Sequence, residues 1–90
     1  MEFEWDKRKA ASNLKKHGVS FGEAASVFGD PLALTFDDPD HSIGERRLLT
    51  FGATRTGKLV IVSHTERERS MRIISVRIMQ KHEREIYEKG

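Results

Sequence analysis

The chain has 90 residues, no cysteine, a formal net charge of +2 and a third of its residues charged. That length allows a single domain over residues 1–90 with one modest core in about two layers. The absence of cysteine excludes a disulfide framework and a thiolate zinc site, and it fits a reducing cytosol. No apolar run approaches the roughly 20 residues needed to cross a bilayer, and the acidic, polar N-terminus does not read as a signal peptide, so the expected location is cytoplasmic. Charge is unevenly distributed. Residues 1–45 hold five Lys/Arg against nine Asp/Glu, whereas residues 46–90 hold eleven against five. A basic face built by the C-terminal half suits a polyanion, although charge alone also describes an ordinary solvated surface.

Phe3-Glu4-Trp5 alternates and reads as a very short strand or an extended lead-in. Asp6 is placed to cap a helix over residues 7–16, with Ala10 and Leu14 on its apolar face and Lys9, Asn13 and Lys16 on a polar stripe. Lys15, Lys16 and His17 suit the C-terminal dipole, and Gly18 suits the left-handed position that ends the helix. Ser20-Phe21-Gly22-Glu23 matches a capping box, with Val19 and Ala24 as its hydrophobic staple. Phe21, Ala24, Ala25 and Phe28 form the stripe of this second helix, and Gly29-Asp30-Pro31 stops it.

Residues 32–36 read as a strand, followed by a polar loop from Asp37 through His41 to Ser42. Residues 46–52 and 58–65 form two more strands around the turn Thr54–Gly57. Residues 71–78 form a fourth, after which Met79, Glu83, Ile86 and Tyr87 mark a C-terminal helix. The order β-α-α-β-β-β-β-α makes an α+β domain with an antiparallel meander. Four arginines fall within residues 67–77. On an ideal strand Arg72 and Arg77 face opposite sides, so both reach one site only if a bulge or twist intervenes. Arg46 and Arg47 pose the same problem one strand away.

Trp5-Asp6, Lys9, Asn13 and Lys16 through Phe21 together resemble the N-terminal signature of the BrnT family of bacterial toxins. Asp40-His41-Ser42, Glu45-Arg46, Thr65-Glu66-Arg67, Arg72 through Arg77, Glu83-Arg84 and Tyr87 continue the pattern in order along the whole chain. Val76 stands where the pattern has Ala, and Ile78-Met79 replaces a smaller or more polar pair. The resemblance implies the toxin of a type II toxin–antitoxin pair with a RelE-like fold, acting as a metal-independent endoribonuclease on mRNA with no cofactor. It also implies a small ribbon-helix-helix antitoxin that neutralises the toxin in a hetero-oligomer and carries the complex to operator DNA.

Metal-free RNA cleavage needs a base for the 2′-hydroxyl, an acid for the leaving oxygen and cations for charge on phosphorus. His41 and Glu45 are the acid/base candidates, His41 because its ordinary pKa lies near neutrality. The alternatives are a turn residue for His41 and a structural partner of Arg72 or Arg77 for Glu45. Arg67, Arg72 and Arg77 are the phosphate candidates, since a guanidinium fork stays charged and matches phosphate oxygens. Of Arg72 and Arg77, one is expected to bind RNA and the other to tie down the strand or last helix. Lys9, Lys16 and Arg46 extend the RNA-binding track, with a solvated helix face as the bland alternative for the lysines. His64 and His82 are weaker acid/base candidates, and Tyr87 suits either packing or the site. The histidines are too scattered to form a metal centre. A competing function is a non-catalytic RNA-binding module, or a co-repressor that acts only with its partner.

Overall fold

The computed structural model describes residues 2–41 and 44–90. Five strands, β1 (Glu2–Glu4), β2 (Leu34–Asp37), β3 (Arg47–Ala53), β4 (Leu59–Arg67) and β5 (Ser70–Ile78), form one sheet in the order β1-β5-β4-β3-β2. Helices α1 (Lys7–His17) and α2 (Phe21–Ala25) lie between β1 and β2, and α3 (Lys81–Lys89) follows β5. Strands β2 to β5 pair antiparallel as a meander, but β1 runs parallel to β5 and makes the sheet mixed. The wholly antiparallel expectation fails there because β1 and β5 are joined by no hairpin. The rest of the fold lies between them.

The first helix obeys its local signals. Asp6 Oδ1 accepts from the backbone N–H groups of Arg8 and Lys9 at 2.8 and 3.1 Å. Gly18 takes a φ of 72° and donates its N–H to the Leu14 carbonyl at 2.8 Å, a conformation that glycine adopts without steric cost. The face it buries differs from the one its apolar residues suggest. Leu14 is 49% exposed, while Asn13 is only 8% exposed. Asn13 reaches the free edge of β5, where its Nδ2 donates to the Val76 carbonyl at 2.8 Å and its Oδ1 accepts from the Val76 N–H at 3.0 Å. Its amide thus takes the place of a neighbouring strand where β1 no longer pairs.

The capping box at Ser20 forms only in half. Ser20 Oγ accepts from the Glu23 N–H at 3.0 Å, but the Glu23 carboxylate turns to Thr54, Thr56 and Lys58 of the β3–β4 turn. After α2 a 3-10 turn (Ser26–Gly29) leads to Asp30, which accepts from the N–H groups of Leu32 and Ala53 and from the Tyr87 hydroxyl at 2.9, 2.8 and 2.6 Å. Tyr87 therefore fastens α3 to the far end of the sheet. The bond to Asp30, with burial adding to it, pushes the Tyr87 hydroxyl pKa up to about 12.

Two cores flank the sheet. Val19, Phe21, Ala24 and Val27 from the first helical pair meet Val60, Val62, Ile73 and Val76 on one face. Each fully buried valine, isoleucine or phenylalanine among them contributes on the order of 1.5–3 kcal/mol. On the other face Phe51, Ile61 and Met79 pack with Leu59 and Tyr87. This second core occupies one end, where α3 meets β3.

Candidate functional site

Strand β5 carries a bulge. Ser63 pairs with Ser75 and His64 with Ile73, so Ile74 is the extra residue. Residues opposite one another across strands share a face. Thr65 opposes Arg72 and Ile61 opposes Arg77, and Thr65 and Ile61 lie four apart on β4. Arg72 and Arg77 therefore share the face on which α3 packs. The same bulge lets Ile73 and Val76 both enter the opposite core.

The two arginines then diverge. Arg77 makes a two-pronged pair with Glu83 of α3, at 2.7 Å from Nη1 to Oε1 and 2.6 Å from Nη2 to Oε2. Glu83 Oε1 also accepts from the Gln80 N–H at 2.7 Å, at the start of the helix. These bonds, the one from Arg77 foremost, hold the Glu83 carboxyl below its ordinary range against the opposing effect of burial. Arg77 thus secures α3. Arg72 lies at the other end, beyond the reach of that helix, with its side chain 32% exposed.

Around Arg72 the sheet face is polar and uncovered by any helix among the described residues. Glu4, opposite Arg72 on β1, places Oε1 at 4.0 Å from Arg72 Nη1 and 3.4 Å from Arg67 Nη1. Glu45 approaches Arg67 from the loop before β3, with Oε2 at 3.7 Å from Nη2. Arg47 and Arg72 flank Thr65 as its cross-strand partners. Among the described residues three buried side-chain polar atoms lack a hydrogen bond, and two of them, Glu4 Oε1 and Thr65 Oγ1, are here beside Arg72. Native folds leave few buried polar groups unsatisfied, and those that remain call for an explanation. A basic surface beside a hydroxyl without a hydrogen bond is suited to an anionic ligand.

Of the expected site residues, Glu45, Arg67 and Arg72 come together. His41 closes a 3-10 turn (Pro39–His41), and its side chain, like Ser42, lies outside the described residues. Arg46 pairs with Asp37 at 2.7 Å on the exposed surface. Lys9 and Lys16 stand on α1, beyond the β5 edge of the sheet. His64 is a core residue. It is 1% exposed, its Nε2 bonds Thr50 Oγ1 at 2.7 Å, and its ring meets Phe28 edge-on at 4.9 Å. Burial depresses its pKa to about 4. Glu4 is the residue that sequence reasoning missed. Its only signal was an acid inside a short alternating strand, and its partners come from a parallel pairing with no local trace. Among the described residues no group of three or more His, Asp or Glu converges as a metal centre.

A family model described as the ribonuclease toxin, BrnT, of type II toxin–antitoxin systems matches residues 5–83. The fold is similar to the crystal structure of the Brucella abortus ribonuclease toxin, BrnT, with a TM-score of 0.69 over 90% of this chain and 99% of that one. Identity between the two is 21%, so the likeness speaks for the fold. No curated protein matches the sequence significantly.

Proposed function

The chain belongs to the BrnT family of ribonuclease toxins of type II toxin–antitoxin systems, and on that footing we propose that it is a metal-independent endoribonuclease that cuts mRNA at the uncovered half of its sheet. The observation that carries this reading is the convergence of Arg67, Arg72, Glu4 and Glu45 from separate elements beside the buried Thr65 hydroxyl, which has no hydrogen bond. Arg67 and Arg72 hold the scissile phosphate and take up the charge that develops on its oxygens. A base removes the 2′-hydroxyl proton and the 2′-oxygen attacks phosphorus. The P–O5′ bond breaks, and an acid returns a proton to the leaving 5′-oxygen. His41 and Glu45 are the candidates for these proton transfers, and Glu4 joins them because it lies against both arginines. In the free protein the two glutamates act as counter-ions for cations that RNA engages.

The wider reading includes a RelE-like fold, supported by two helices on one sheet face and a third at the end of the other. It also includes a ribbon-helix-helix antitoxin that assembles with the toxin, blocks growth inhibition and brings operator DNA to the complex. The test is to induce the chain alone in a bacterial host beside Arg72→Ala and His41→Ala versions, and to map RNA ends minutes later. New ends with wild type, lost in both variants at equal protein level, support the enzyme. Growth arrest with intact RNA sinks it in favour of a binding module.

A further inference from the structure

Next to the open half of the sheet, a groove of about 240 Å³ runs between α1 and the bulged part of β5. Lys9, Ser12, Lys16 and His17 line it from the helix, and Ser75 lines it from the strand. The spacing of residues 9, 12, 13 and 16 puts them on one side of α1. Asn13 fixes that side against β5 through Val76, so the lysines one turn before and after it are held at the groove. They stand seven residues apart, ~10 Å along the helix axis, a span for a length of chain and not for a point ion.

The groove is lined by two lysines, two serines, an imidazole, the Asn13 amide and Ile74, with no carboxylate among its lining residues. Whereas Arg46, Lys58 and Arg77 are each matched to a carboxylate, Lys9 and Lys16 make no ion pair among the described residues. The groove borders the same strand that carries Arg72, since Ile74 and Ser75 line it. Ser75 opposes Ser63 on β4, in the middle of the sheet. Asp6, which caps α1, has its carboxyl held low first by the N–H groups of Lys9 and Arg8, and further by the charges of both Lys9 and Arg72. One carboxylate thus lies near a cation of each site.

We propose that this groove binds the phosphodiester backbone of single-stranded RNA whose neighbouring nucleotides occupy the open half of the sheet. The proposal rests on the ribonuclease reading and deepens it by giving the substrate a path off the sheet, across the β5 edge. The Ile74 bulge and the Asn13 clamp are what make that path, because they stop the sheet from continuing outward and leave a charged trough in place of another strand.

The test is a titration of fluorescent single-stranded 2′-O-methyl RNA, which offers no free 2′-hydroxyl for cleavage, against the full chain at several salt concentrations. A Lys9→Gln, Lys16→Gln double variant is compared with a Lys81→Gln, Lys89→Gln control that removes equal charge from α3. Each phosphate contact on a single strand contributes about 0.7 to the slope of log affinity against log salt. The groove variant is expected to bind severalfold more weakly with a slope shallower by about 1.4, while the control keeps the wild-type slope. Equal losses in both variants, or none in the groove variant, overturn the proposal. Cleavage of ordinary RNA by wild type is measured alongside. Cutting with an unaffected groove variant leaves the nuclease and removes the groove, binding through the lysines without cutting does the reverse, and wild type that binds no RNA removes both.

Discussion

Acidification from pH 7 to pH 5 is expected to weaken this fold through one imidazole. His64 sits between Thr50 and Phe28 with Nδ1 buried and without a hydrogen bond. The neutral ring tolerates this, since an unpartnered lone pair costs less than an unpartnered N–H. Protonation adds a charge and a second donor where nothing receives either. The pKa accordingly falls from 6.5 to about 4 on folding. Because the unfolded chain takes up the proton first, the stability is fully present above pH 6.5 and is lost as the pH falls toward 4. At about 1.4 kcal/mol per pH unit, the loss is about 2 kcal/mol at pH 5 and about 3 kcal/mol near pH 4. For a domain of this size 2 kcal/mol is a fall of roughly 8–16 °C in Tm. Urea unfolding at pH 7 and pH 5 measures it, with His64→Gln as the comparison, because Gln keeps a hydrogen-bonding group for Thr50 and cannot take the proton. Wild type should lose about 2 kcal/mol more than the variant over that interval. Equal losses would show that His64 is not the titrating group and would undo the account of its burial.

Other expected outcomes are structural as well. Glu83→Ala removes the two-pronged bond to Arg77 and the contact with the Gln80 N–H, and should cost about 2–3 kcal/mol in urea unfolding. Arg77→Gln should cost a similar amount, with strong non-additivity in the double variant, whereas an arginine devoted to RNA would show no coupling to Glu83. Asn13→Ala strips both bonds from the buried Val76 peptide groups and should destabilise by about 2–3 kcal/mol, with faster amide hydrogen exchange at Val76 as its local signature. A Cβ at Gly52 would meet Val27 Cγ1 at 2.6 Å, so Gly52→Ala should lower stability by about 1–3 kcal/mol through overpacking.

Features written in local chemistry were legible in the sequence. Asp6 and Gly18 bound α1 because caps act within a turn, and the β2–β5 meander follows from short turns between apolar strands. Leu14 and Asn13 misled because periodicity ranks residues by side-chain polarity, whereas position on the helix was decided by an unpaired strand edge sixty-three residues away. A polar residue on the buried side of a helix is costly unless it has partners. Asn13 has two on a strand that no local pattern connects to it. Glu4 was hidden for the same reason. Its neighbours on β4 and β5 follow from a parallel pairing across nearly the whole chain, and charge counting had placed it among the acids of the N-terminal half.

The bulge at Ile74 ties these long-range features together. In an unbroken strand one of Arg72 and Arg77 would lie under α1 and α2, in a core that holds Val60, Val62 and Ile73. A guanidinium there would lack a partner, at a cost no domain this small can bear. One extra residue resolves the conflict, since it resets the alternation between Ile73 and Val76 and so turns both arginines to the other face. That face is divided by α3. Arg77 meets the start of the helix and is matched two-pronged by Glu83, while Arg72 lies away from it with a carboxylate oxygen of Glu4 no nearer than 4.0 Å. Two arginines that composition cannot tell apart thus acquire different roles from where the helix ends. The irregularity also lies on the stretch of β5 that Asn13 meets from α1, so the feature that secures the core borders the groove between them.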